Sequence, residues 1–246
     1  MGARFWIGTS GWHYAHWQGL FYPEGMPTSR WLAHYIQHFP TVEINNSFYR
    51  QPKTSAWQLW RRSVPDGFRF AVKVNRFITH IKRLKDVAEP VTTFLSRAGH
   101  LKEKLGPLLY QLPPNMRRND ERLEAFLSLL PKEHRHVVEF RHESWLDEGV
   151  FDILRRHHVG FCVFDMPGLA GPLVATADFA YIRLHGATGL YCSCYSDAEL
   201  EGWAKRIAGL ARDLEAVYIY FNNDAEGFAV QNAHTLWEKL TQGSYR

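Results

Sequence analysis

Eight short segments of the chain alternate between apolar and polar residues, and each becomes more polar toward its C-terminal end. In residues 137–145, Val138 and Phe140 alternate with Glu139 and Arg141. Because side chains of a β-strand point to opposite faces with a period of two, one face of this segment is apolar and the other is charged. The pattern predicts strands at residues 5–8, 42–45, 68–74, 108–112, 137–145, 161–164, 181–184 and 217–221.

Helical patterns separate these strands, so that βα units repeat at a spacing of about 30 residues. The predicted helices cover residues 28–38, 54–65, 91–104, 120–130, 150–157, 197–214 and 227–240, while Gly and Pro in residues 166–178 predict an irregular crossover. Repeated βα units predict a closed parallel barrel or a doubly wound sheet. Eight strands with polar ends favour a single (β/α)8 TIM-type barrel, an α/β fold covering residues 1–246.

The active site of such a barrel lies at the C-terminal ends of the strands, where inward side chains converge. Alternation along the strands predicts this inward set: Ser10, Glu43, Asn45, Lys73, Gln111, Glu139, Arg141, Asp165, Arg183, His185 and Asn222. Charges buried at one mouth need partners, so we expect a mutually paired network. A purely structural ion network is the alternative to a functional site.

Lys73, Arg141 and Arg183 predict an electropositive pocket, since guanidinium groups bind phosphate or carboxylate through two hydrogen bonds and lysine supplies a point charge. We therefore expect an anionic, phosphate-bearing substrate. The other predicted ligand-binding residues are Ser10, Trp12, Asn45, Gln111, Asp165, Asn222 and Asn223. Asn222 and Asn223 precede the last helix, whose N-terminus suits a phosphate, although ordinary helix capping explains them equally well.

Three residues of the inward set are candidates for acid/base catalysis. His185 suits proton transfer near neutral pH, and Glu43 or Glu139 can orient it or act as the base. These assignments predict an enzyme, with a hydrolase, an isomerase or a lyase as candidate classes. A non-catalytic binding scaffold is the alternative.

Carboxylate and imidazole groups at several strand ends also suit a divalent metal, either Mn or Zn. The candidate ligands are Glu43, Glu139, Asp165, His142 and His185. Lys73 and the arginines compete with a metal for the carboxylates, and no local motif fixes the ligand spacing. The sequence therefore predicts no cofactor, with a metal as the alternative.

A second hypothesis is a nucleic-acid-binding protein or a metal-assisted phosphodiesterase. Trp12, Tyr14, Trp17, Phe21 and Tyr22 form an aromatic loop that could stack bases beside the basic mouth. Covering one end of the barrel is the commoner function of such a loop. The net charge of +4 is compatible with an anionic partner and is too small to decide the question.

The chain has three cysteines, an odd number. Together with the lack of a secretory signal before the first strand, this predicts a reducing, cytoplasmic location without disulfides. The pair Cys192 and Cys194 has no matching second pair, as a zinc site requires. No apolar run approaches the roughly 20 residues that span a bilayer, so we expect no membrane contact.

Several motifs together resemble the YecE-like family, a domain of unknown function, over nearly the whole chain. They are Gly8-Thr9-Ser10-Gly11-Trp12 with residues 17–23, Glu43-Ile44-Asn45 with Ser47-Phe48-Tyr49, Val72-Lys73 with Ile78-Thr79-His80, Gln111-Leu112-Pro113-Pro114, Glu139-Phe140-Arg141-His142 with Ser144-Trp145, Arg183-Leu184-His185-Gly186 and Tyr220-Phe221-Asn222-Asn223. The resemblance implies a TIM-type barrel and does not imply a reaction. The family is similar in architecture to xylose-isomerase-like barrels, including repair endonucleases with a metal cluster, whose dense His, Glu and Asp set this sequence lacks.

Overall fold

Nine β-strands form one sheet in the computed structural model, which describes residues 2–242. They are β1 (Arg4–Thr9), β2 (Thr41–Ile44), β3 (Arg69–Lys73), β4 (Leu105–Gln111), β5 (His136–Glu139), β6 (Gly160–Met166), β7 (Leu169–Ala170), β8 (Phe179–Leu184) and β9 (Ala216–Phe221). Eight of them pair in parallel in the order β1-β9-β8-β6-β5-β4-β3-β2, and β7 folds back antiparallel onto β6. The predicted (β/α)8 TIM-type barrel is confirmed.

Helices connect the strands around the outside of the barrel. The α-helices are α1 (Trp31–Tyr35), α2 (Asn46–Tyr49), α3 (Thr54–Arg62), α4 (Ala88–Ala98), α5 (Asp120–Leu127), α6 (Glu148–Arg156), α7 (Asp197–Leu210) and α8 (Phe228–Gln242). A π-helix at Phe77–Ile81 follows β3. Asn119, Asp147 and Ser196 cap α5, α6 and α7 through their side chains, which accept hydrogen bonds from backbone N–H groups.

Two predicted strands differ clearly from the structure. The fourth strand begins earlier than predicted, at Leu105 instead of residue 108, so Gly106 and Pro107 lie inside β4. The predicted fifth strand is too long: β5 ends at Glu139, and a short 3-10 helix, Glu143–Trp145, follows it. The crossover after β6 is irregular as predicted, and β7 forms part of it.

The two faces of the strands separate as the alternation predicts. Val138 and Phe140 belong to the outer core, which packs against the helices. A second cluster fills the barrel interior and contains Trp6, Ala71, Leu109, Val137, Cys162, Phe179, Tyr181, Ala216, Tyr218 and Tyr220. This interior lies below the polar strand ends, so the polar residues are concentrated at one mouth.

The barrel closes between β1 and β2 through side chains as well as backbone. A single bridge, between Ser10 and Glu43, pairs the two strands just beyond β1. The Tyr35 hydroxyl lies between them: it accepts a hydrogen bond from Thr9 N at 2.9 Å and donates to Thr41 O at 3.0 Å. The closure therefore depends on side chains that satisfy the backbone at the seam.

The aromatic loop packs into the protein. Trp17 and Tyr22 are fully buried. The ring of Tyr22 stacks on Trp31 with centroids 4.8 Å apart, and Trp17 Nε1 donates to Asp224 O at 2.8 Å. These two rings are thus not free to stack on bases, and the loop covers the barrel.

Across residues 2–242, none of the helices combines the length and the apolar character needed to cross a bilayer.

We predict that Gly8→Ala destabilises the protein, because a Cβ at this position would lie 2.2 Å from Thr41 O and 2.9 Å from the Tyr35 hydroxyl. Forcing a methyl group into such a space costs about 1–3 kcal/mol or more. Gly209→Ala is the control, since nothing lies within 4 Å of a Cβ there and alanine favours helix. Urea unfolding of both variants tests this, and equal stability would contradict the described closure.

Candidate functional site

The C-terminal strand ends place polar side chains in two tiers at the mouth. The lower tier is buried and consists of Ser10, Glu43, Glu139, Arg183 and His185. The upper tier keeps partial exposure and consists of Asn45, Lys73, Gln111, Arg141 and Asn222. Ten of the residues predicted from strand alternation therefore lie at the mouth, and only the upper tier is open to a ligand.

Arg183 is the centre of the lower tier and is 1% exposed. Its Nη1 donates to Glu139 Oε2 at 2.7 Å, and its Nη2 donates to Glu43 Oε1 at 2.8 Å and to Ser10 Oγ at 3.0 Å. Both carboxylates are fully buried. One guanidinium group on β8 thus binds side chains that follow or belong to β1, β2 and β5.

Glu43 is held in its ionised form by several donors. Ser10 Oγ donates to Oε1, and the Tyr181 hydroxyl donates to Oε2 at 2.6 Å. Burial opposes ionisation, but Arg183 and these two hydrogen bonds outweigh it and lower the pKa of Glu43. Ser10 Oγ also accepts from Asn45 Nδ2 at 2.8 Å, which joins the two tiers.

Glu139 is paired with two arginines. Arg141 Nε donates to its Oε1 and Arg183 to its Oε2, while Gln111 Nε2 makes a long contact of 3.4 Å. Burial again opposes ionisation, and Arg141 and Arg183 overcome it, so the pKa of Glu139 lies well below its ordinary value. Neither carboxylate is available as a general base at neutral pH without first breaking an ion pair.

His185 is buried and neutral. Burial, followed by repulsion from Arg183, lowers its pKa to about 4. Asn222 Nδ2 lies 3.0 Å from Nδ1, and Arg141 Nη2 lies 3.1 Å from Nε2. As placed, both neighbours donate a hydrogen bond, but a neutral imidazole has only one acceptor nitrogen. Turning the side-chain amide of Asn222 puts its oxygen against Nδ1, so that Nδ1–H donates to Asn222 Oδ1. Nε2 then accepts from Arg141, so the lone pair of His185 is already used.

Lys73 differs from the other charged groups of the mouth. Its Nζ lies 4.2 Å from the centre of the Phe48 ring. It forms no hydrogen bond or ion pair with another residue in the described part of the chain. Burial, followed by repulsion from Arg183, lowers the pKa of Lys73 to about 8. The amine is therefore half-buried, unpaired within the described residues and easier to deprotonate than an ordinary lysine.

Three predicted ligand-binding residues lie apart from the ion network. Asp165 is three residues from the inward Cys162, so it faces the opposite side of β6, and its Oδ2 accepts from the Tyr195 hydroxyl at 3.0 Å. Its inward assignment from alternation is wrong. Asn223 is buried and donates to Ser193 O at 2.9 Å. Trp12 belongs to the aromatic loop.

Trp12 lines a groove beside the upper tier. The groove has a volume of about 550 Å³ and lies between the aromatic loop, α2 and α3; its lining comprises Gly11, Trp12, His13, Tyr14, Asn45, Asn46 and Trp60. The rings of Trp12 and Trp60 meet edge to face at 5.7 Å. Asn45 Oδ1 is buried without a donor among residues 2–242. The groove therefore offers aromatic walls next to the mouth, and Asn45 joins it to the ion network.

The residues considered as metal ligands do not converge. In the described chain, no three His, Cys, Asp or Glu side chains lie together as metal ligands. Of the five candidates, Glu43 and Glu139 bind arginines, while His142 Nδ1 accepts from Ser144 N at 3.1 Å. The arginines hold the carboxylates that a metal would need.

Sequence reasoning missed Tyr181, Phe48 and His80 as parts of the site. Tyr181 has the same inward alternation as Arg183, and that signal could have identified it. Phe48 and His80 lie in α2 and the π-helix, where strand alternation gives no information, and their rings meet at 5.0 Å beside Lys73. The α2 helix and the π-helix come together only in the folded chain.

Fold and mouth together define a (β/α)8 barrel with a buried arginine–carboxylate network below a half-buried lysine. The family described as protein of unknown function DUF72 matches residues 6–245. A DUF72 family protein from Thermotoga maritima MSB8 is 32% identical, with a TM-score of 0.89 over 96% of this chain and 99% of that chain. The chain belongs to the DUF72 family.

Other relatives agree with this assignment. UPF0759 protein YecE of Escherichia coli (strain K12) is 33% identical over 144 residues, which are 58% of this chain and 50% of that protein. The chain thus matches about half the length of that relative. UPF0759 protein YunF of Bacillus subtilis (strain 168) is 24% identical over 95% of this chain and 94% of that protein. The resemblance to the YecE-like family is confirmed.

We predict that Glu43→Gln destabilises the protein strongly, because it leaves Arg183 buried with one carboxylate instead of two. Removing one partner of a buried ion pair typically costs about 3–5 kcal/mol. Glu103→Gln is the control: it removes the partner of Arg61 in a pair with side chains 34% and 50% exposed, and should leave stability almost unchanged. Equal unfolding midpoints in urea would show that the network does not depend on Glu43.

Proposed function

We propose that this protein is an enzyme that binds a small anionic substrate at the upper tier and transfers a proton there. The main support for the proposal is the unbalanced positive charge at the mouth. Glu43 and Glu139 are paired with Arg183 and Arg141, so the negative and positive charges of the network cancel. Lys73 adds one positive charge that no carboxylate within ion-pair distance in residues 2–242 balances, and an anionic group supplies the missing partner.

The electrostatics around the π-helix support an anionic ligand. Burial, followed by repulsion from Lys73, Arg76, Arg141 and Arg83, lowers the pKa of His80 to about 4. These cations lie at the end of β3 or follow β3 and β5, so this side of the mouth carries a positive potential. Such a potential attracts anions and raises their local concentration.

Lys73 is the proton-transferring group of this proposal. A general acid or base is most effective when its pKa lies near the working pH, and the pKa of about 8 places Lys73 there. Glu43, Glu139 and His185, the acid/base candidates from the sequence, are buried. In the proposal they fix Arg183 and Arg141 and thereby set the charge that Lys73 experiences.

A second candidate, single-stranded nucleic acid, is favoured by exposed rings and cations beside the mouth. Tyr49 is 72% exposed and Phe77 is 41% exposed. Arg50, Arg76 and Lys82 are exposed on the same connections. Rings beside cations suit bases and phosphates. This surface, and not the aromatic loop, is the one that could stack bases.

We predict that inorganic phosphate binds and that Lys73→Met weakens binding by about tenfold or more, since a charged hydrogen bond contributes about 1.5–3 kcal/mol. Lys132→Met, at an exposed lysine outside the mouth, is the matched control. Calorimetry or NMR titration measures the affinities. Phosphate binding that is absent, or equal in the two variants, would exclude an anion site at Lys73. An oligonucleotide whose affinity falls steeply with salt would instead favour the second candidate.

A further inference from the structure

Two partly or fully buried lysines, Lys73 at the end of β3 and Lys104 just before β4, have different environments. Lys104 is 6% exposed, and its Nζ donates to Val64 O at 2.5 Å and to Arg61 O at 3.1 Å. Lys73 Nζ has no such partner in the part of the chain that the structure describes. Lys104 is therefore a structural cation, whereas the lone pair or the protons of Lys73 are free for a ligand.

The surroundings of Lys73 favour a reactive amine. One side is the apolar ring of Phe48, 4.2 Å from Nζ, which does not hydrogen-bond the ammonium as water does. Arg183 and Arg141 repel its positive charge, while Glu43 and Glu139, which attract it, are already bound to those arginines. A desolvated lysine beside other cations is the arrangement that activates an amine as a nucleophile.

We propose that Lys73 forms an imine with a small aldehyde or ketone that carries a carboxylate or a phosphate. This inference rests on the proposed anion site and names the substrate class for it. The position of Nζ at the end of β3 against the Phe48 ring, its lack of a partner among the described residues and the arginines around it support the proposal.

The reaction balances without an added oxidant or reductant. The neutral amine of Lys73 attacks the carbonyl carbon, a C–N bond forms, and the π electrons of the C=O bond move to oxygen. One proton from the nitrogen and one from the solvent move to that oxygen. The nitrogen lone pair forms the C=N bond as the C–O bond breaks, so water leaves and an iminium ion with one N–H remains. The overall change is amine plus carbonyl plus proton to iminium plus water.

The iminium form of Lys73 carries the same positive charge as its ammonium form. The iminium nitrogen carries one positive charge, as the ammonium does, so it still attracts the anionic group of the substrate. It also withdraws electrons from the neighbouring carbon, which makes a proton there easier to remove. Substrate binding and imine formation are then successive uses of one residue.

Trapping with borohydride tests the proposal, because hydride reduces an iminium to a stable secondary amine. The protein is incubated near pH 8, the pKa of Lys73, with pyruvate in one arm and glyceraldehyde 3-phosphate in the other, and labelled peptides are mapped by mass spectrometry. We expect Lys73 to carry the label in preference to Lys104 and Lys132. The two arms distinguish a carboxylate from a phosphate as the recognised group.

Lys73→Arg is the matched variant, since it keeps the charge but cannot form the imine, and circular dichroism checks its fold. We expect it to lose the label at this position and to bind inorganic phosphate. Label spread evenly over exposed lysines, or no label at Lys73 in either arm, overturns the imine. If phosphate still binds in those cases, the proposed anion site stands without the imine; if phosphate also fails to bind, both are wrong.

Discussion

The burial of the Arg183 guanidinium is the constraint on which the mouth of the barrel depends. A buried charge is costly unless it is paired and hydrogen-bonded. The two terminal nitrogens of Arg183 on β8 are paired with Glu43 of β2, Glu139 of β5 and Ser10, which follows β1. Ser10 and Glu43 also form the bridge between the first two strands. The closure of the barrel and the floor of the candidate site are therefore one set of contacts.

This arrangement divides the charged residues by function. The two carboxylates and the two arginines neutralise each other and leave His185 neutral between Asn222 and Arg141. An ion network of this kind fixes geometry and potential but offers no free base. Lys73 lies above it without a partner in the described residues, and its amine is where chemistry with a ligand can begin.

Strand alternation predicted the fold and most of the mouth from the sequence, because a period of two determines which side chains face the barrel axis. Asp165 was misassigned since it lies one residue out of phase with Cys162, and β6 continues past it into the turn to β7. The surroundings of Lys73 could not be predicted, since Phe48 and His80 come from connections whose contacts form only in the folded chain. The state of His185 likewise depends on burial and on the arginines around it.

Among the described residues, the neutralised network leaves Lys73 as an unpaired, half-buried amine with a lowered pKa. Heteronuclear NMR of protein labelled with ¹³C-lysine measures that pKa directly, and the Lys73→Arg variant assigns the signal. The structure predicts a titration midpoint near 8, because burial and Arg183 both disfavour the ammonium form. A midpoint at the ordinary value of 10.5 would contradict an unpaired Lys73, since Glu43 or Glu139 would then be paired with its ammonium group in solution.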